Sequence, residues 1–251
     1  MVILRDMKSE LKVLGVVGIR SGSRGVPDKN IRLLNGKPLV GWILEEAKKS
    51  KYINRLIVST DSPEYAELAK KIGAEAPYLR PKELAQDKSA DFEYVKHAIG
   101  WLAANENYRP DIVVRMMATA PFQKIEDIDA CIEELIKDSK ADSAVVIAEA
   151  RQHPGKALKL VDGGNGEQRL VSYITGKSRD ANPTARQSYE KAYFRANVVA
   201  SRIATISEGG TLTGDYIRYH IIPQERAIDI DSEIDFFIAE QLMRLNGEKN
   251  G

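Results

Sequence analysis

Residues 18–30 have the composition of an anion-binding loop. After Gly18, its glycines and cations are Gly22, Gly25, Arg20, Arg24 and Lys29. Glycine lets the backbone adopt positive φ angles and turn N–H groups toward an anion, and the cations add positive charge at the same place. The charge of this loop favours a polyphosphate over a single carboxylate. The loop matches neither a P-loop nor a dinucleotide fingerprint, because Gly-Lys-Ser/Thr and a third glycine opening a helix are both missing.

Asp229 and Asp231 form a second candidate site. They alternate with Ile228 and Ile230, so the period of an extended chain predicts both carboxylates on one face. Two neighbouring anions repel each other and favour a bound cation. Mg²⁺ takes one or two carboxylates together with phosphate oxygens and waters, so the pair predicts a magnesium site. Alternatively, Asp231 or Ser232 only caps the closing helix, and capping by Ser232 is compatible with a metal site.

Apolar runs and amphipathic helices alternate over the first 148 residues and predict an α/β fold, with a mostly parallel, Rossmann-like sheet covered by helices on both faces. The predicted strands are 13–17, 55–59, 111–117 and 143–148. Four helices are predicted: the first at 39–49, the second beginning at Ser62-Pro63, the third ending near residue 105, and the fourth at 125–137. Asp91 is expected to cap the third of these helices. Ligands of such sheets bind at the carboxyl ends of the strands.

The alternation stops after residue 148. Residues 149–195 contain a hairpin-like turn at 162–166 and a polar stretch from 175 to 188, which predicts an inserted lobe. Residues 196–251 return to the core with a strand at 193–201 and a closing helix at 233–245. The apolar residues of that helix that fall on one face are Ile234, Phe237, Ile238, Leu242 and Leu245. The predicted organisation is therefore an α/β core with the anion-binding loop (1–148), a lobe that is a candidate lid or dimer arm (149–195), and a return to the core (196–251).

The composition narrows the function classes. Of 251 residues, 43% are hydrophobic and 29% charged, and 37 Lys and Arg face 36 Asp and Glu. This near-neutral balance predicts no nucleic-acid partner. No apolar run approaches the roughly 20 residues of a membrane span, so a cytoplasmic protein is expected. The single cysteine, Cys131, excludes an internal disulfide, and His97, His153 and His220 lack the spacing of metal ligands.

The first loop, with its Ser-Gly-Ser-Arg-Gly and Lys29-Asn30, continues through Asn-Gly-Lys-Pro-Leu at 35–39. It resembles the nucleotide-binding opening of the sugar cytidylyltransferases, in particular the acylneuraminate cytidylyltransferases, which activate sialic acids as CMP esters. The resemblance extends from about residue 13 to residue 245. It implies a metal-dependent nucleotidyltransferase, in which the anomeric hydroxyl of a 2-keto-3-deoxy sugar acid attacks the α-phosphate of CTP and releases pyrophosphate. The sequence does not identify the general base.

The resemblance also implies roles for individual residues. The residues that would hold the β and γ phosphates are Arg20, Ser23, Arg24 and Lys29; Asn30 would help to fix the nucleotide, and Arg80 and Ser89 would contact the base or ribose. Asp229 and Asp231 would hold Mg²⁺ and, with Arg20 and Lys29, form the catalytic set. From the residues alone, Arg80 is an ordinary loop residue.

The acceptor side departs from the family pattern. In the turn that usually reads Gln-Pro-Thr-Ser-Pro-Leu-Arg, Thr119 and Pro121 match, but Met117 replaces the glutamine that faces the sugar and Gln123 replaces the arginine. Either the acceptor is altered, or a neighbouring group compensates. The remaining substrate residues that the resemblance implies are Lys156, Arg186, Arg195 and Asn197. The three cations among them would neutralise the acceptor carboxylate or the leaving phosphates. In the family the lobe is a dimerisation lobe, which implies a homodimer or higher homo-oligomer.

Three alternatives stay open. Octulosonate cytidylyltransferases usually have a Gln-Gly-Asp-Glu-Pro turn, which residues 118–121 do not match. Sugar-1-phosphate nucleotidyltransferases continue the first loop with Leu-x-Pro-Leu-Thr, which is missing. The third alternative is a non-catalytic nucleotide-binding module, which Met117 and Gln123 favour and the intact pair Asp229 and Asp231 disfavours.

Overall fold

The computed structural model describes residues 11–23, 25–181, 185 and 188–248. Its strands are β1 (Val13–Gly18), β2 (Leu33–Leu34), β3 (Lys37–Pro38), β4 (Arg55–Ser59), β5 (Ile112–Met117), β6 (Ser143–Glu149), β7 (Leu158–Gly164), β8 (Glu167–Ser172), β9 (Tyr193–Arg202) and β10 (Ile217–Ile222). Its helices are α1 (Leu39–Ala47), α2 (Pro63–Ile72), α3 (Asp91–Glu106), α4 (Ile125–Lys137), α5 (Ile203–Ser207) and α6 (Glu233–Glu248). Short 3-10 turns occur at Lys82–Ala85, Pro154–Lys156, Ser178–Ala181 and Gln224–Ala227.

The main sheet has six strands in the order β10-β6-β9-β5-β1-β4. Its neighbours pair in parallel except β9, which is antiparallel to both β5 and β6. One face packs against α1, α2 and α4 through a cluster that includes Val17, Ile43 and Ile132. The other face packs against α3 and α5 through Leu14 and Leu102. The predicted α/β class, with a mostly parallel sheet and helices on both faces, is confirmed.

Local capping explains where two helices begin. The Ser62 hydroxyl accepts the Tyr65 N–H at 3.3 Å, and Pro63 occupies the first turn of α2, as the sequence predicts. The prediction that Asp91 caps α3 is wrong. Ala90 is the N-cap residue, its N–H donates to the Glu93 carboxylate at 3.0 Å, and Asp91 is already helical.

The closing helix α6 docks through a different face from the one that periodicity groups together. Phe236, Ala239 and Met243 are buried against Val26 and Leu34, whereas the side of the helix with Ile234, Phe237, Ile238 and Leu245 is exposed. Both faces are apolar, so periodicity alone does not select one. The face with Phe236 is buried because the Arg32 guanidinium stacks on the Phe236 ring at 4.2 Å and the ring fills a pocket beside the first loop.

The hairpin of β7 and β8 forms a small sheet of its own within residues 149–195. Its turn uses Gly164, Asn165 and Gly166 with positive φ angles. Most of its side chains are exposed, including Leu158, Leu160 and Leu170. Within the described residues, no helix is long and apolar enough to cross a membrane.

Candidate active site

A polar cleft of about 300 Å³ opens at the carboxyl ends of β1 and β5. Its lining includes seven residues of the predicted site: Arg20, Ser23, Lys29, Asn30, Arg80, Ser89 and Asp231. The first loop forms one wall, the segment before α3 forms another, and Thr119 and Asp231 complete the cleft. The structure therefore brings the nucleotide residues and one of the two aspartates together, as expected for a parallel α/β sheet. Arg24 lies outside the described residues.

The first loop is anchored from the side of β4 and α2. The Asp61 carboxylate accepts the Ser21 N–H at 2.9 Å and the Ser21 hydroxyl at 2.7 Å. Burial opposes ionisation of Asp61, but these two hydrogen bonds outweigh it and hold its pKa below the ordinary value. The Tyr65 hydroxyl donates to Asp28 at 2.9 Å, where the chain turns with a positive φ. The loop is therefore held in place by the protein's own side chains.

Lys29 joins the first loop to the aspartate segment. Its ammonium group donates to the Ile230 carbonyl at 2.6 Å and to the Asp231 carboxylate at 2.9 Å. The loop approaches this segment so closely that a Cβ on Gly25 would lie 2.3 Å from the Asp231 carbonyl oxygen. Arg20, near the start of the same loop, pairs at 2.9 Å with Asp87 of the segment before α3. A cation and a carboxylate thus face each other at two places where a polyphosphate could enter.

The two aspartates differ in their surroundings. Ile228 and Ile230 are buried, as the alternating pattern predicts, although the segment belongs to no strand and is held by a hydrogen bond from the Ile230 N–H to the Thr119 carbonyl at 3.0 Å. The Asp231 side chain is 76% exposed. Burial raises the pKa of Asp229, and Asp231 adds to this effect, while the Thr119 hydroxyl and Lys29 oppose it.

The donor set of this pair fits a hard divalent cation. Asp229 Oδ1 is buried and has no hydrogen-bond partner among the described residues. Burying a carboxylate oxygen without a partner costs free energy, and a bound cation would remove that cost. In the described part of the chain no group of three His, Cys, Asp or Glu residues could hold a metal. Phosphate oxygens and waters would have to supply the other ligands, and this is how Mg²⁺ is usually bound. Ser232 also caps α6, since its hydroxyl accepts the Asp235 N–H at 3.4 Å and donates to the Asp235 carboxylate at 2.6 Å.

Arg80 and Ser89 lie on the other side of the cleft. The Arg80 guanidinium is buried, donates from Nε to the Ser59 hydroxyl at 3.0 Å and also to the Ser59 carbonyl, and stacks on the Tyr94 ring at 4.5 Å. The Ser89 hydroxyl accepts the Gln86 N–H at 3.1 Å and donates to the Glu83 carbonyl at 3.2 Å. Both side chains therefore also hold the protein's own loops.

Sequence reasoning missed a buried polar group beneath the cleft. Arg115 on β5 is 6% exposed, and its Nε lies 3.4 Å from the Asp91 carboxylate, which lines the cleft. Its Nη1 lies 3.4 Å from the Asn197 carbonyl. Tyr94 packs so tightly under Gly18 that a Cβ there would lie 2.5 Å from its ring. An arginine inside the apolar run of β5 was the available signal.

The predicted acceptor residues do not line the nucleotide cleft. Met117 is half-buried at the end of β5, and Asn197 is buried on β9, where its amide nitrogen has no partner among the described residues. Arg195 is exposed near the start of β9, and Lys156 is exposed in a short helical turn. Arg186 lies outside the described residues.

Gln123 does not face the cleft either. It is buried, and its amide nitrogen donates to the Asp127 carboxylate at 2.9 Å. Arg226 donates to both oxygens of the same carboxylate, at 2.9 and 3.1 Å. A guanidinium thus reaches this place from another part of the chain, which supports compensation by a neighbouring group at this position.

Known proteins resemble this chain over most of its length. Residues 14–208 match the family model described as Cytidylyltransferase. The post-translational flagellin modification protein B of Campylobacter coli is 30% identical over 242 residues, which cover 95% of this chain and 97% of that protein. The CMP-N,N'-diacetyllegionaminic acid synthase of Campylobacter jejuni subsp. jejuni serotype O:2 is 29% identical over 93% of this chain and 96% of that protein.

A longer relative is also similar in sequence, and a solved structure is similar in fold. The N-acylneuraminate cytidylyltransferase of Escherichia coli O18:K1:H7 is 27% identical over 91% of this chain, which spans 51% of that protein. A CMP:2-keto-3-deoxy-manno-octonic acid synthetase, solved in complex with CTP, has a TM-score of 0.69 at 15% identity over 94% of this chain and 99% of its own, and it supports the fold. These matches confirm the resemblance stated from the first loop, and the chain belongs to the cytidylyltransferase family.

Proposed function

We propose that this protein transfers CMP from CTP to the anomeric hydroxyl of a 2-keto-3-deoxy sugar acid of the sialic or legionaminic acid type and releases pyrophosphate. The observation that carries the proposal is the contact of Lys29 with both the Ile230 carbonyl and the Asp231 carboxylate. This contact joins the first loop, which would bind phosphate, to the segment that carries Asp229 and Asp231. The names of the curated relatives point to acylated nine-carbon acids as acceptors.

The cleft supplies binding and orientation for this reaction. Ser23, Lys29 and the backbone of the first loop would bind the β and γ phosphates, and Arg20 would exchange Asp87 for a phosphate oxygen. Phosphoryl transfer needs little covalent chemistry from the protein, because the rate gain comes from positioning and charge stabilisation. Arg20 and Lys29 would stabilise the charge that develops on the departing pyrophosphate. Arg80 and Ser89 would orient the nucleoside on the other side of the cleft.

Asp229 and Asp231 would hold Mg²⁺. When bound, the ion neutralises negative charge on the phosphate that reacts. Asp229 Oδ1, which has no hydrogen-bond partner within the described part of the chain, and the exposed Asp231 carboxylate would provide the oxygen ligands that such an ion prefers. Lys29, 2.9 Å from Asp231, holds that carboxylate against the loop.

The lobe would form a homodimer. The hairpin of β7 and β8 exposes Leu160 and Leu170 at 60% and 53%, and Tyr173 and Ile174 follow at 62% and 64%. Monomers rarely leave so many large apolar side chains on one small element, and a second copy of the chain would cover them. Sedimentation velocity gives the mass of the assembly and separates a dimer from a higher oligomer. The cytoplasmic location stays a prediction.

The test of the reaction is pyrophosphate release with CTP and Mg²⁺ in the presence of N-acetylneuraminic, N,N'-diacetyllegionaminic, pseudaminic or 3-deoxy-octulosonic acid. Release with an acylated nine-carbon acid, and loss of release when UTP replaces CTP, is the expected result. Calorimetry with CTP is the companion measurement. CTP binding without release on any acid would refute the proposed reaction and support a non-catalytic nucleotide-binding module.

A further inference from the structure

The Asp127 carboxylate, in the first turn of α4, is buried and accepts hydrogen bonds from several parts of the chain. It accepts the Gln123 amide N–H at 2.9 Å and the Lys124 backbone N–H at 3.3 Å. Arg226 Nη1 lies 2.9 and 3.1 Å from its two oxygens, and His220 Nε2 lies 3.4 Å from one of them. Because water and salt screen a buried ion pair little, the pair of Asp127 and Arg226 holds the two segments that carry it close together.

These contacts link Asp127 to the chain on both sides of Asp229. On one side is the connection between β5 and α4, whose Thr119 carbonyl accepts the Ile230 N–H at 3.0 Å. On the other side is the last 3-10 turn, in which Arg226 lies three residues before Asp229. The place of the Asp229 carboxylate therefore depends on both segments, and Asp127 joins them.

Arg226 is the last polar side-chain anchor of the chain before Asp229. Residues 227–228 are an alanine and an isoleucine, so neither can fix the chain by a side-chain hydrogen bond. Beyond Asp229 the chain is held again, because Lys29 donates to the Ile230 carbonyl at 2.6 Å. The direction in which the Asp229 carboxylate points thus depends on where Arg226 holds the turn.

We propose that Asp127 and Arg226 are positioning residues whose ion pair places the Asp229 carboxylate and so sets the affinity for Mg²⁺. This role rests on the proposed function, which assigns the ion to Asp229 and Asp231. Replacing an outer residue that orients a metal ligand typically lowers metal affinity or activity by roughly 10- to 100-fold. The pair also neutralises a buried charge, and the two roles have to be separated by experiment.

The response to Mg²⁺ is measured in two ways. Pyrophosphate release is followed against Mg²⁺ concentration, and calorimetry gives the affinity for CTP with and without Mg²⁺, which needs no acceptor. Arg226→Gln is expected to raise the Mg²⁺ concentration for half-maximal release by about tenfold. Its affinity for CTP should equal that of the wild type without Mg²⁺, fall below it at low Mg²⁺ and recover at high Mg²⁺, because the first loop is intact. Arg226→Lys keeps the charge and should recover part of the response.

Arg218 provides the matched control. It lies on β10 and donates to the Glu134 carboxylate at 3.1 and 3.0 Å, and Glu134 lies on α4 seven residues after Asp127. Arg218→Gln removes an arginine–carboxylate pair on the same helix that has no link to the aspartate segment. Its response to Mg²⁺ should equal that of the wild type.

A second-site arginine separates positioning from charge neutralisation. Gln123→Arg in the Arg226→Gln background brings a cation to Asp127 from the connection after β5, at the position where the family pattern has an arginine. It should raise the melting temperature of Arg226→Gln without restoring the response to Mg²⁺. If this variant does not fold, the comparison of Arg226→Gln with Arg226→Lys and Arg218→Gln decides.

The outcomes distinguish this role from the proposed function. If Arg226→Gln responds to Mg²⁺ as Arg218→Gln does, or if Gln123→Arg restores the response, Asp127 needs only a cation and the positioning role fails alone. If no acid supports release but Mg²⁺ strengthens CTP binding by the wild type, the proposed reaction fails and calorimetry still tests the pair. If Mg²⁺ affects neither release nor CTP binding, the metal site of the proposed function fails, and the positioning role fails with it.

Discussion

Gly25 offers a sharp test of how the first loop and the aspartate segment fit together. A Cβ on residue 25 would lie 2.3 Å from the Asp231 carbonyl oxygen, whereas ordinary van der Waals contact begins at 3.4 Å. The atom in the way is backbone, so Gly25→Ala forces the two segments apart by about 1 Å, and a misplacement of this size can cost about 100-fold in rate. We therefore expect kcat/KM for CTP to fall by about 100-fold, or about 2.7 kcal/mol.

Two other glycines separate this steric effect from general consequences of adding a methyl group. Gly22 lies in the same loop with a φ of +68°, and no atom lies within 4 Å of the place that a Cβ would take. Gly22→Ala therefore adds backbone strain of about 1 kcal/mol without a clash. Gly100 lies on the exposed side of α3, also without a neighbour within 4 Å. Gly100→Ala is expected to stabilise the protein by about 1 kcal/mol, which raises the melting temperature by roughly 2 to 4 °C.

The assay combines pyrophosphate release, calorimetry with CTP and thermal unfolding on the three variants. Gly25→Ala is expected to lose turnover far more than it loses thermal stability, because residue 25 is exposed and lies outside the hydrophobic core. Calorimetry measures the affinity for CTP, so it tests the first loop even if the proposed acceptor is not the substrate. Activity of Gly25→Ala within twofold of the wild type would refute the close approach of loop and aspartates, and with it the geometry of the proposed site.

Three further predictions concern charged residues of the site and its supports. Asp231→Ala should lower turnover at ordinary Mg²⁺ concentrations by about 100-fold or more, because metal ions contribute several kcal/mol to such reactions. The melting temperature should not change, because the Asp231 side chain is exposed. Wild-type activity of this variant would contradict the proposed metal site. Asp61→Asn should lower stability at pH 7. Because the folded pKa of Asp61 is depressed, its contribution exists above the ordinary pKa and is lost as pH falls, so the gap to the wild type should close below about pH 4; a gap independent of pH contradicts this role. Arg226→Leu leaves the buried Asp127 without its cation and should cost about 3 kcal/mol, or roughly 6 to 12 °C in thermal unfolding; an unchanged melting temperature would mean that His220 or solvent replaces the arginine.

The sequence predicts the sheet well where a strand is buried on both faces. β1, β4, β5 and β6 are mainly apolar runs, interrupted within β5 by Arg115, and their bounds agree with the prediction to within a residue or two. The run at 193–201 predicts a strand but not its neighbours, because an antiparallel strand between two parallel ones depends on contacts that no local pattern encodes. The docking face of α6 was ambiguous for a similar reason, since the choice depends on Arg32 and on the pocket that receives Phe236.

The candidate site could be predicted where its chemistry is local. The glycines and cations of the first loop lie within 13 consecutive residues, and their composition predicts phosphate binding. Asp229 and Asp231 are two residues apart, and this spacing predicts metal binding. The supports are distant: Asp61 holds Ser21 from 40 residues away.

Gln123 shows why a single replaced residue is weak evidence for an altered substrate. From the sequence, the loss of an arginine at this position could mean a changed acceptor pocket or a compensating neighbour. In the structure the position points at Asp127, a buried carboxylate that needs a cation because burying an unpaired charge is expensive. Arg226, 99 residues along the chain from Asp127, supplies that cation just before the aspartate pair. A positive charge is therefore present at this place although it comes from a distant part of the sequence, so Gln123 carries no argument for an unusual acceptor. Met117, at the open end of β5, remains the departure that a test of acceptor specificity has to explain.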